Sequence, residues 1–190
     1  MLRKGKIIAY SLWILITISF AIAYFLYPEK FTPEYLTEFI KKFANEMMFV
    51  YILLTFIRGF FLIPSTPFVI VGGLLFPDQL LLVLIISLSG IMFSATALYY
   101  FSDLLGFSKY LDNKFPSKIE VWKTRLKSSK SILFITGWSF FPFVPTDLIC
   151  YVTGILKTPF KNMFIGVFIG ELVLCIMYVY FGASIFDLIQ

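Results

Sequence analysis

The sequence predicts an all-α polytopic membrane protein, and three observations carry that prediction. The 190 residues are 59% hydrophobic and only 14% charged, with a mean hydropathy of +0.90; soluble domains lie near ~45–50% apolar and ~25% charged. Three apolar runs are long enough to cross a bilayer core of ~30 Å at ~1.5 Å per residue, and two more are broken by proline and glycine. The basic residues gather at Arg3, Lys4 and Lys6 and again over 109–130. In a membrane protein such clusters mark the cytoplasmic side rather than a nucleic-acid surface.

The first run, 7–27, reads as a retained transmembrane helix. Ala21-Ile22-Ala23 resembles a signal-peptide cleavage site, but the apolar run continues through Tyr27 with no polar region before that site. Residues 28–46 are polar, with Tyr35, Leu36, Phe39, Ile40 and Phe43 at helical spacing, Thr32 as a candidate N-cap and Pro33 at the first helical position. That pattern predicts a short amphipathic helix in the membrane interface.

The run 47–76 is broken by Pro64, Pro67, Gly72 and Gly73 and contains Arg58; 79–101 is clean. Residues 102–130 are polar and basic, with Ile119, Trp122 and Leu126 on one face, a pattern for a second interfacial helix on anionic lipid. The run 131–160 is broken by Pro142, Pro145, Asp147 and Gly154, and 163–186 is the last spanning run. Gly166 and Gly170 in it fit helix packing inside the protein as well as dimerisation, which leaves the oligomeric state open.

The two broken runs suggest a repeat. A shift of 81 positions lays Pro64 on Pro145, Thr66 on Asp147, Gly73 on Gly154 and Leu75 on Leu156. Paired Gly/Pro-interrupted segments in corresponding halves point to a transporter-type binding site. Charge then selects a topology. If both broken runs re-enter the membrane, the linker with three Lys against four Glu lies outside, and the 102–130 loop, with seven basic against three acidic residues, lies in the cytoplasm beside the N-terminus. If the first broken run crossed instead, the most basic loop would land outside. The chain thus divides into an N-terminal helix and linker, 1–46, and a membrane domain, 47–190, built as hairpin 47–76, helix 79–101, basic loop 102–130, hairpin 131–160 and helix 163–186.

Phe56-Ile57-Arg58, Ile63-Pro64-Ser65-Thr66-Pro67-Phe68 and Gly72-Gly73-Leu74-Leu75-Phe76, followed by Phe141-Pro142-Phe143-Val144-Pro145-Thr146-Asp147 with Tyr151, Gly154, Phe160, Gly166 and Gly170, resemble the two signatures of the DedA superfamily, also called VTT-domain or SNARE-associated Golgi membrane proteins. The resemblance spans 47–182. It implies two inverted repeats, each a re-entrant hairpin plus a spanning helix. For function it implies movement of lipid between leaflets, as phospholipid scrambling in eukaryotic relatives or proton-linked recycling of a polyprenyl-phosphate carrier in bacterial ones, and for this chain a plasma-membrane location. Bacterial members with a defined role often carry an acidic residue where Ile57 or Thr66 stands here, and many have an arginine at the position of Ser139. Ser102-Asp103 replaces a common basic residue. The pattern is closer to the branch with a Pro-Thr-Pro-Phe first motif.

Several polar residues in the apolar runs are candidates for chemistry. Ser65 or Thr66 can cap a half-helix with Pro67 at its first position, and Thr146 or Asp147 can cap the other; two such N-termini facing each other would suit a phosphate or carboxylate. Capping alone also explains these residues. Arg58, which costs ~2.5–3.5 kcal/mol near a bilayer centre, suits phosphate binding or a structural pair with Asp147 or Glu171. Those two carboxyls are the proton-carrier candidates, because a carboxyl taken out of water can hold a proton near neutral pH. Asp78 reads as a loop residue. With no His in the chain, no metal-ligand cluster and no nucleophile–base pair, an enzyme is the least favoured class, and no cofactor is expected. A membrane scaffold or an ion-coupled carrier of a small solute are the alternatives to a lipid transporter. Cys150 and Cys175 read as buried hydrophobes, not a disulfide.

Overall fold

The computed structural model describes residues 11–12, 15–20, 22–24, 26–61, 63–104, 116–128, 130–141 and 144–189. Parts of the run 7–27 (7–10, 13–14, 21 and 25) lie outside the described residues; those of it that are described up to residue 26 are helical. Among the described residues the fold is all helical.

Helix α1 (Pro33–Lys41) starts where Thr32 Oγ1 accepts the Tyr35 N–H at 3.3 Å, with Pro33 supplying a preset φ at the first position. Its apolar residues are divided between two neighbours. Leu36 and Ile40 are buried as α1 packs on α3 (Thr66–Leu75), while Tyr35, Phe39 and Phe43 face outward. The helix therefore rests on protein along one edge as well as offering an interfacial aromatic row.

After α1 a pattern of short, short and long helices occurs twice. The first set is α2 (Met47–Ile57), α3 and α4 (Leu80–Leu104); the second is α6 (Lys130–Ser139), α7 (Thr146–Ile155) and α8 (Phe160–Ile189), with α5 (Pro116–Lys127) between them. The 10- and 11-residue helices reach only ~15 Å, half a bilayer core. By contrast, Pro77–Ser102 and Phe160–Gly182 are each long and apolar enough to cross a membrane. Their outward faces carry Leu81, Ile85 and Phe93 on α4 and Phe164, Ile169 and Tyr180 on α8, an apolar surface of the kind that lipid covers.

Each pair of short helices doubles back. Tyr51, in α2, sets its ring 5.8 Å from that of Phe76 in a tilted contact, just beyond the end of α3. Asn162, in the first turn of α8, donates to the Ser128 carbonyl (3.3 Å) and Ser131 Oγ (2.9 Å) beside the start of α6. Tyr99 Oη donates to the Thr158 carbonyl at 2.6 Å and fixes the far end of α4 to the end of α7.

The halves interlock. Helix α4 packs on α7 of the other half and α8 on α3, with α4 and α8 in contact at the centre. The crossings within each half depend on glycine. A Cβ on Gly90 would stand 2.7 Å from Thr55 Cγ2, and one on Gly170 would stand 2.7 Å from the Thr136 carbonyl. Thr55 and Thr136 are related by the same 81-residue shift as the proline motifs. Gly166 likewise faces Ile135 and the Ile132 carbonyl, so both glycines of the 166–170 pair serve packing on α6. Tyr51, Ile40, Ile91, Leu98, Ile135 and Met163 are the large side chains of the core. Asp78 is exposed in a turn, as its sequence suggests, and Cys150 and Cys175 are buried free thiols.

Candidate functional site

Helix α2 ends at Ile57, and Arg58 continues the chain as a 3-10 turn through Phe61. The turn lies tight against α4: any side chain at Gly59 would strike Ser94, and its Cβ would come within 3.6 Å of Asp147 Oδ1. Arg58 is thereby pressed into the interior, 4% exposed. Its Nη1 donates to the Ile63 carbonyl at 3.0 Å and to Asp147 Oδ2 at 3.2 Å. Its Nε and Nη2 are buried without a hydrogen-bond partner. A guanidinium offers five N–H donors, and buried donors normally find partners.

Asp147 belongs to the first turn of α7. The cap residue there is Pro145, with extended backbone, rather than Thr146 or Asp147. On α3 the cap position is Ser65, whose side chain makes no capping bond, and Thr66 and Pro67 are already helical. The capping roles expected for these four hydroxyl and carboxyl side chains are therefore not realised. For the second pair the partners are elsewhere: Thr146 Oγ1 donates to Glu171 Oε1, in a short hydrogen bond to α8, and Asp147 accepts from Arg58. Both are turned away from their own helix toward the interior.

Arg58, Ser65, Thr66, Thr146, Asp147 and Glu171 line one cavity of about 40 Å³, closed on its apolar sides by Pro64, Pro145, Phe141 and Leu174. A single water needs roughly 10–15 Å³ on this measure, so the space admits more than one small polar group. The starts of α3 and α7 both border it, so the N-terminal ends of two helices lie at the same cavity as the guanidinium. The other motif residues shape packing instead. Gly72 lies under Tyr51 and Val83, a Cβ on Gly73 would stand 3.0 Å from the Val179 carbonyl, and Gly154 allows the close approach of Tyr99 and Ser102. Pro142 lies outside the described residues.

One residue near the site was not singled out by sequence: Ser94, beside Gly59, is fully buried with a hydroxyl that has no partner, as is Ser139, where many family members have an arginine. For Ser94 the available signal is a small polar residue within the otherwise apolar 79–101 run.

The VTT domain matches residues 63–184, an interval that takes in both long helices, both helix starts that border the cavity, and Asp147 and Glu171, while Arg58 stands five residues ahead of it. No curated protein and no solved structure gives a significant match. With that match covering well over half of the sequence, the chain belongs to the VTT-domain family, the domain of the DedA and SNARE-associated Golgi proteins.

Proposed function

We propose that this chain is a multi-pass membrane transporter that moves a lipid or lipid-phosphate between leaflets, with the Arg58 cavity as the polar waypoint for the headgroup. The VTT family is generally membrane-associated, its members are proposed transporters, and it is not a known enzyme family. The observation that carries the reading is Arg58: a deeply buried guanidinium with two donor atoms unused, opening on a cavity where two helix starts meet. Such an edge suits the planar, bidentate recognition of phosphate.

The α2–α3 and α6–α7 pairs act as re-entrant hairpins in this reading, each followed by a spanning helix, as two inverted repeats. The doubling back of each pair, the half-bilayer helix lengths and the positive charge of the 102–130 loop support it. The loop and the N-terminus then face the cytoplasm. Residues 47–190 form the transporting unit, and 1–46 anchor it.

Asp147 sets the condition for anion entry. A phosphate and the Asp147 carboxylate compete for the same guanidinium, so proton uptake by Asp147 and Glu171 lowers the competition. Headgroup binding and proton uptake are thereby linked. The test is reconstitution into liposomes carrying fluorescent lipids in both leaflets. Leaflet exchange above that of empty vesicles, lost on substitution of Arg58, is the expected result. Exchange no faster than in empty vesicles, across zwitterionic and anionic lipids, would favour a scaffold or a small-solute carrier.

A further inference from the structure

A second cavity lies on the outer side of α7, away from Arg58. It is a groove of about 300 Å³ between α5, α6 and α7, lined by Trp122, Leu126, Phe134, Trp138, Leu148 and Val152 among other apolar residues. None of its lining residues is charged. The Trp138 N–H is directed to the Pro145 carbonyl at 3.5 Å, so the ring offers its carbon face to the groove. Leu126 of α5 is buried, while Trp122, Phe134 and Leu148 remain nearly half exposed. The groove follows α7 from Leu148 to Ile155, about 10 Å at the rise of an α-helix.

Basic residues adjoin the lining in sequence. Lys123 follows Trp122, Lys130 stands one turn before Phe134, and Lys157 follows Leu156, itself a lining residue. Across 116–161 seven basic residues face two acidic ones, Glu120 and Asp147, and Asp147 is already paired with Arg58. An apolar trough formed by helices whose chain is rich in basic residues is complementary to an amphiphile with an apolar tail and a negative head. We propose that the groove between α5, α6 and α7 binds one acyl chain of an anionic phospholipid, with its headgroup among Lys123, Lys130 and Lys157. This site is separate from the Arg58 cavity and holds whether or not the chain transports lipid.

Fluorescence quenching tests it directly, because Trp122 and Trp138 line the groove and Trp13 is the one other tryptophan. The full-length Trp13→Phe protein is reconstituted in phosphatidylcholine vesicles containing a small, equal mole fraction of either phosphatidylglycerol or phosphatidylcholine with dibrominated acyl chains. Brominated phosphatidylglycerol should quench at least twofold more strongly. Val152→Phe, which fills the trough, should abolish that preference, and Lys123→Gln with Lys130→Gln should reduce it toward the phosphatidylcholine level without disturbing the fold. Equal quenching by both lipids, untouched by these changes, would overturn the proposal and leave ordinary bilayer contact. Quenching by neither lipid would also overturn it, since protein would then cover the groove.

Discussion

Arg58 and Asp147, 89 positions apart in sequence, form a direct ion pair with a 3.2 Å separation and less than 5% of either side chain exposed. Each stands where a short helix meets the interior, one at the end of α2 and the other at the start of α7. The pair is the one point at which the two halves share a charge among the described residues, and it governs the first prediction.

Removing one partner leaves the other charge buried and alone. Arg58→Ala and Asp147→Ala should each destabilise the protein by about 3–5 kcal/mol, and the double variant should cost much less than their sum. Denaturant titration in detergent measures the cycle. Arg58→Lys should fold yet lose transport, because an ammonium lacks the planar fork. Strict additivity in the cycle would contradict a direct pair.

Glu171 accepts from Thr146. Thr146→Val should cost about 1–3 kcal/mol by leaving that carboxyl short of a donor. Glu171→Gln keeps an acceptor for Thr146 and should fold. Transport of an anionic lipid by the unmodified chain should speed up as the pH falls on the loading side, since proton uptake frees Arg58. In Glu171→Gln this response should flatten. A pH profile identical to that of the parent would exclude Glu171 from coupling.

Lys41 and Glu120 are both exposed, one in the linker helix and one in the basic loop. Single cysteines placed there, with Cys150 and Cys175 changed to Ala, should react with impermeant reagents from opposite sides. Labelling of both from one side would contradict the re-entrant topology.

Two glycines near one another in the second half should behave oppositely. A Cβ at Gly170 would stand 2.7 Å from the Thr136 carbonyl and 3.0 Å from the Phe140 nitrogen, both backbone atoms that cannot rotate away. Gly170→Ala should therefore cost about 1–3 kcal/mol. Nothing lies within 4 Å of a Cβ at Gly137, so Gly137→Ala should be neutral or slightly stabilising. Thermal unfolding of the two variants makes the comparison.

Much of this arrangement was legible in the chain because bilayer physics writes it in composition. The runs over 79–101 and 163–186 correspond to α4, which continues three residues further at its far end, and α8, which continues three further at both ends, and Thr32-Pro33 announces α1. Arg58 and Asp147 stand out because charges in apolar runs need a reason. Their pairing was one of several alternatives, since no local rule links residues that far apart. The caps were misread for a related reason. Propensity places Thr146 and Asp147 at a helix start, but tertiary partners on α8 and α2 bind more strongly than the local backbone does, and Pro145 serves as the cap. The trough beside α7 had no signal at all, being formed by apolar residues on three helices, of which only Trp122 and Leu126 had been grouped.

The exchange of helices between halves has a consequence for synthesis. Residues 47–104 emerge before the second half and carry Arg58, but the counter-charge is encoded 89 residues later, and the partners of α3 and α4 are α8 and α7. The nascent first half thus waits in the translocation machinery or the lipid with an unpaired guanidinium and two uncovered faces until the second half arrives. Neither half should mature by itself. A chain cut within 105–115 should assemble only when both pieces are produced together, and a ribosome stalled before Asp147 should leave a product that quality-control proteases remove.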